Sequence, residues 1–74
     1  MKIIDFMICS GTLASMNYVL VVDNEENVTE LKQYYECSDD EIESMRDDDG
    51  QLDLYPVLTR KGYKFAAARG FYKD

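Results

Sequence analysis

The first third of the chain carries apolar positions with the two-residue period of β-strands. Residues 2–9 fit a strand in which Ile4, Phe6 and Ile8 alternate, and they also fit a helix with Ile4 and Ile8 on one face. Their β-branched content favours the strand. Residues 18–23 (Tyr-Val-Leu-Val-Val-Asp) form the clearest strand of the sequence. Their unbroken apolar run predicts a central position in a small sheet.

Two helix starts follow, and each is marked by capping residues. Asn27 stands three residues before an acid, as an N-cap does, and predicts a helix over residues 28–36. Ser38 and Glu41 have the spacing of a capping box, which predicts a short helix ending at about residue 47. Acids in the first turn of that helix suit the positive end of its dipole.

The last third predicts one strand and one helix. Residues 52–57 fit a strand, with Pro56 marking an edge or a bend. Thr59 can cap a final helix that Gly70 ends as its C′ residue. The predicted element order is ββααβα, an α+β fold with a short β-sheet, and residues 1–74 form a single small domain.

Composition excludes several kinds of chemistry. The 74 residues include no histidine, so a Cys/His zinc site, an imidazole base and a Ser-His-Asp triad are all excluded. No base is available to activate the thiol of Cys9 or Cys37, and no glycine-rich phosphate loop is present. We therefore expect no enzymatic activity, no catalytic residue and no cofactor.

The acidic turn at residues 47–50 shares part of the pattern of a calcium-binding loop. With Gly50 in the sixth position of such a loop, Met45 and Pro56 take the first and twelfth positions. Both positions need carboxylate ligands, and the twelfth ligand is bidentate. No metal site is predicted here.

Membrane insertion and export are not expected. Residues 3–22 are largely apolar, but Asp5, four small polar residues and Gly11 interrupt them, unlike a spanning helix or a signal peptide. The expected location is cytoplasmic, where Cys9 and Cys37 are reduced and pack as small apolar residues.

Charge is distributed unevenly along the chain. The net charge is −7, yet residues 23–53 carry thirteen acids against Lys32 and Arg46, whereas residues 54–73 carry five bases and no acid. An exposed negative surface repels phosphate backbones and attracts basic protein surfaces. A solubilising role is the simpler alternative.

Tyrosines are the second group of candidate contact residues, because a tyrosine combines a large apolar area with a polar tip. The pattern places Tyr35 and Tyr63 in the core and predicts exposure for Tyr34, Tyr55 and Tyr72. The predicted partner-binding residues are Glu36, Asp39, Asp40, Glu43, Asp47, Asp48 and Asp49, together with Tyr34 and Tyr55.

Residues 27–65 resemble a small winged helix-turn-helix of the excisionase type. The resemblance is carried by Leu31, Tyr35, the Cys37–Ser38 break, Ile42, Gly50 to Leu52, Tyr55 and Gly62 to Phe65. It implies a second helix in the DNA major groove and a wing after it. That helix is strongly acidic here, so phosphate contacts would come only from Arg60, Lys61, Lys64, Arg69 and Lys73.

These observations favour a non-enzymatic protein whose acidic segment docks on a basic partner surface. One form of it is an inhibitor of phage or mobile-element type that imitates nucleic-acid charge. Two alternatives remain open. The first is a DNA-binding regulator that uses the basic C-terminal helix, and the second is an oligomeric structural accessory. A homodimer that buries aromatic residues of the tail would enlarge the small core.

Overall fold

The computed structural model describes residues 1–8, 17–66 and 68–73, which form an α+β fold. The elements are β1 (Asp5–Ile8), β2 (Asn17–Val22), α1 (Glu25–Tyr34), α2 (Asp39–Met45), β3 (Gln51–Asp53), α3 (Tyr55–Arg60), β4 (Lys64–Ala66) and β5 (Gly70–Tyr72). The predicted class, a single small α+β domain, is confirmed. The predicted order holds through β3, but α3 begins within the predicted strand 52–57, and two strands stand where the final helix was predicted.

Strands β1, β2 and β3 form an antiparallel sheet in that order, with β2 in the predicted central position. Val19 and Val21 of β2 point into the core, and Leu52 of β3 pairs with Val21 and is also fully buried. Because β1 is a strand, the helical alternative for residues 2–9 is wrong. Cys9 lies outside the described residues.

The first helix begins three residues earlier than predicted. Asn24 is its N-cap, and the Asn24 side chain accepts a hydrogen bond from the Asn27 N–H at 2.8 Å. Asn27 lies within the helix and is 8% exposed, with its Nδ2 donating to the Val22 carbonyl at 2.7 Å. Asn24 directly precedes Glu25 and Glu26, and Asn27 stands three residues before Glu30, so either asparagine fits an N-cap in sequence. The contact of the Asn27 side chain with the end of β2 accompanies the earlier start, with Asn24 as the N-cap.

The predicted strand over residues 52–57 is shorter than expected. β3 ends at Asp53, and Pro56 lies in the first turn of α3, where a missing N–H costs no helical hydrogen bond. The Thr59 hydroxyl donates to the Tyr55 carbonyl at 2.6 Å, so it bonds back along α3 and caps no later helix.

The predicted C-terminal helix is wrong, because β4 and β5 form an antiparallel hairpin there. Gly62 has a φ of 97° and follows the end of α3, and Gly70 belongs to β5. The register pairs Phe65 with Phe71, and the two rings lie 4.9 Å apart against the core. Strand periodicity therefore turns both phenylalanines from one face of the hairpin toward the core, where Phe71 is buried and Phe65 is partly buried.

The core contains side chains from the helices and from the three-stranded sheet. Leu31 of α1, Met45 of α2 and Leu58 of α3 are fully buried against the sheet, as is Leu54, which precedes α3. Cys37 is a buried free thiol, as predicted, and burial raises its pKa, with a further rise from Glu41 and a smaller opposing effect of Lys61. The described part of the chain contains no helix that is both long and apolar enough to cross a membrane.

Candidate functional site

Helix α2 presents acids on the side that faces away from the core. Ile42 and Met45 are buried, and they fasten the helix to the sheet. Asp40 and Glu43 lie on the opposite side of the helix and are exposed. Hydrophobic anchoring on one face therefore fixes the direction in which these two carboxylates point.

The turn after α2 holds three further acids. The Asp47 carboxylate accepts hydrogen bonds from the backbone N–H groups of Asp49 at 2.8 Å and Gln51 at 3.0 Å. Gly50 has a φ of 74°, which closes the turn before β3. Asp48 and Asp49 are exposed at its tip. Asp47 thus shapes the turn, and the other two carboxylates project from it.

We call Asp40, Glu43, Asp47, Asp48 and Asp49 the acidic face. Arg46 organises one side of it, because its guanidinium donates to Asp23 at 3.0 Å and also contacts Glu43. The pKa of Arg46 is raised mainly by the hydrogen bond to Glu43 and then by that to Asp23.

A second contact joins the acidic face to the start of α1. The Asp23 N–H donates to the Gly50 carbonyl at 3.0 Å, so the turn before α1 lies beside the turn before β3. Asp23 and Arg46 are 23 residues apart in sequence, and the predicted set omitted both. No local pattern marks such a pair. The only available sign was that Arg46 is the one base between residues 33 and 59.

Asp39 and Glu41, the two neighbours of Asp40 at the start of α2, have a different environment. Lys32 pairs with Asp39 at 2.6 Å, and Lys61 pairs with Glu41 at 3.2 Å. The hydrogen bond from Lys32 lowers the pKa of Asp39. The backbone hydrogen bond from Ser38, followed by that from Lys61, lowers the pKa of Glu41. Ser38 and Glu41 form the predicted capping box.

Glu36 contacts Lys61 through its backbone. It is exposed, it has a φ of 55°, and its carbonyl accepts a hydrogen bond from Lys61 at 3.3 Å, while its carboxylate forms no ion pair with the described residues. Tyr34, at the end of α1, is 71% exposed, as predicted. The acids of the predicted binding set therefore fall into three groups, which are Asp39 paired with Lys32, Glu36 with its unpaired carboxylate, and the acidic face.

Basic residues of the tail do not cover the acidic face. Arg69 lies over the Tyr72 ring at 3.9 Å, and Lys73 lies over the Tyr63 ring at 4.4 Å. Asp40, Asp48 and Asp49 form no ion pair with any other residue in the described ranges. Their charge therefore remains available at the surface.

Two of the tyrosines predicted to be exposed are half-buried. Tyr55 is the first residue of α3 and packs against the core, and Tyr72 lies beneath the Arg69 guanidinium. Tyr35 and Tyr63 pack edge to face, with ring centroids 5.1 Å apart, against the buried cluster. Burial raises the pKa of the Tyr35 hydroxyl, and Glu30 adds to this. Both rings are partly buried and pack against the core without belonging to its fully buried cluster.

Comparison with other proteins adds no further assignment. Protein-family models, curated proteins and solved structures were compared with this chain, and none of them matches it. Residues 1–8, 17–66 and 68–73 also contain no group of three or more Cys, Asp or Glu side chains placed to hold a metal ion. The candidate site is therefore a charged surface, defined by geometry alone.

Proposed function

We propose that this chain is a non-enzymatic interaction protein whose acidic face docks on a basic protein surface. The observation that carries the proposal is the position of Asp48 and Asp49. Both carboxylates follow the C-terminal end of α2, where the helix dipole disfavours negative charge, and neither one has an ion-pair partner in the described part of the chain. No ion pair within the described residues accounts for charge at these two positions, which supports a role in recognition.

Electrostatics indicates the kind of partner. Carboxylates spaced along a helix and its following turn repel phosphates and attract Lys and Arg side chains. A protein that handles nucleic acids carries such bases, so the narrower proposal is an inhibitor of phage type that imitates nucleic-acid charge. This narrower form rests on charge and size alone.

The DNA-binding alternative has lost its main structural element. It relied on a basic C-terminal helix, and residues 64–72 form a hairpin whose Arg69 lies over a tyrosine ring. A gel-shift assay on random duplex DNA at low salt serves as the test, and we expect no shift.

Capture from a lysate of the source organism tests the main proposal. The wild-type chain is immobilised, bound proteins are eluted with a salt gradient, and the eluate is identified by mass spectrometry. We expect a basic partner that elutes as the salt concentration rises, because exposed charge pairs are screened. Asp48→Lys combined with Asp49→Lys should abolish its capture.

Asp5→Lys is the matched control for charge reversal. Asp5 is exposed on β1, at the edge of the sheet opposite to β3 and α2. This variant should retain capture. If both variants capture the same proteins as the wild type does, the acidic face does not bind them and the proposal is wrong. Wild-type capture of no basic protein would also contradict it and would favour the structural accessory.

A further inference from the structure

A groove between the N-terminal segment and the start of α1 exposes apolar side chains. Ile4 and Val22 are each 43% exposed, and both line this groove. Lys2 and Glu26 also line it. Apolar side chains that remain exposed together in one concave site are typical of a binding surface.

A buried polar group also lines this groove. The Asn27 side chain directs its NH₂ group to the Val22 carbonyl at 2.7 Å, because that carbonyl can only accept. The Asn27 Oδ1 atom therefore points elsewhere, and no donor in the described residues reaches it. Asn27 is 8% exposed, and a buried acceptor without a partner is costly. An N–H group in the groove would satisfy it.

The groove adjoins the acidic face. Val22 and Glu26 line it, and Asp23, which lies between them in sequence, donates its N–H to the Gly50 carbonyl beside the acidic turn. Charge complementarity with the acidic face favours basic residues in a segment that occupies the groove and extends past it.

We propose that the groove holds an apolar side chain, of the size of leucine, from a basic extended segment of the partner. An N–H of that segment donates to the Asn27 Oδ1, and its flanking lysines or arginines face the acidic face. This inference rests on the proposed function, because it assumes a basic partner. It adds an apolar anchor to recognition by charge, as interfaces commonly combine a buried anchor with a polar rim.

Two capped peptides of equal charge test the anchor: Lys-Arg-Leu-Arg-Lys and Lys-Arg-Ser-Arg-Lys. Fluorescence anisotropy gives the affinity of each peptide for the full chain. We expect the leucine peptide to bind wild type about tenfold more tightly, since a partly buried leucine adds roughly that factor. The Asn27 carboxamide resonances should move with the leucine peptide and remain in place with the serine peptide.

Variants of the chain test whether the preference for the leucine peptide arises in the groove. Val22→Ser keeps an exposed position exposed and should remove the preference for leucine while leaving the affinity for the serine peptide unchanged. Tyr34→Ser is the matched control, because Tyr34 is exposed outside the groove, and it should retain the preference. Asp48→Lys with Asp49→Lys should weaken the binding of both peptides by a similar factor.

The outcomes separate this inference from the proposed function. Equal, salt-sensitive binding of both peptides would overturn the anchor and leave recognition by charge intact. Binding of neither peptide at low salt would contradict both proposals. If light scattering shows a wild-type dimer that Val22→Ser converts to a monomer, a second copy covers the groove and the peptide anchor is wrong.

Discussion

The two ends of α2 carry acids for different physical reasons. At its start, Glu41 completes a capping box, and Asp39 and Glu41 pair with Lys32 and Lys61. At its end, Asp48 and Asp49 project from a turn at the negative end of the helix dipole. Fold stability accounts for the first group of acids and not for the second. The difference shows that acidity alone marks no site, and that the unpaired acids are those to test.

The largest expected loss of stability comes from removing the buried side chain that holds both ends of α2 against the core. Ile42→Ala should lower the free energy of unfolding by about 3 kcal/mol, because Ile42 is 2% exposed and its loss leaves a cavity. Chemical denaturation measures this. The change should also weaken binding to a basic peptide, since the acidic face then loses its support. Unchanged stability would mean that α2 is not held by this contact.

The capping box at the start of α2 gives the next largest effect. Ser38→Ala should lower the free energy of unfolding by about 1 kcal/mol, because the Glu41 N–H loses its side-chain acceptor. Ser44→Ala is a suitable control, since its hydroxyl bonds back to the Glu41 carbonyl within the helix and caps nothing. An equal loss in both variants would contradict a specific capping role.

Neutralising the acids at the end of α2 should change the free energy of unfolding in the opposite direction, if it changes it at all. Asp48→Asn combined with Asp49→Asn should leave the free energy of unfolding unchanged or raise it by about 0.5 kcal/mol, because unfavourable charge leaves the helix C-terminus. Thermal and chemical unfolding at low salt measure this. A loss of 1 kcal/mol or more would show that these carboxylates stabilise the fold, and the contrast between the two ends would disappear.

Acid titration should give the smallest of these effects on stability. The pKa values of Asp39 and Glu41 are lowered in the folded chain, so their contribution is present above the unfolded pKa and is lost as the pH falls through the folded pKa. Glu41→Gln should therefore flatten the pH dependence of unfolding in the acidic range. Ser44→Ala, which removes no ionisable group, should leave that dependence as in wild type, and a matching change in both variants would contradict this assignment.

Local sequence patterns predicted the parts of the fold that depend on neighbouring residues. Ser38 and Glu41 meet within one helical turn, so their spacing was sufficient to identify the capping box. Residues 63–72 contain apolar side chains that fit a helix as well as a hairpin. Contact of Phe65 with Phe6 and Phe71 accompanies the hairpin, and sequence spacing does not reveal it.

The sequence predicted which acids belong to the candidate site but not which of them are paired with basic residues. All five residues of the acidic face belonged to the predicted set, because a run of acids is visible in any sequence. Its separation from Asp39 and Glu41, which pair with Lys32 and Lys61, depends on tertiary contacts such as that of Lys61 with Glu41 across 20 residues. Tyr55 was predicted to be exposed and is half-buried because α3 begins there.

A titration followed by nuclear magnetic resonance tests the central contrast most directly. The ¹⁵N-labelled chain is mixed with the capped Lys-Arg-Ser-Arg-Lys peptide at low salt, and the backbone amides at both ends of α2 are observed in the same spectra. The account predicts saturable shifts at Asp48 and Asp49, with small changes at Asp39 and Glu41. Shifts confined to Asp39 and Glu41, or equal in size at both ends, would contradict it.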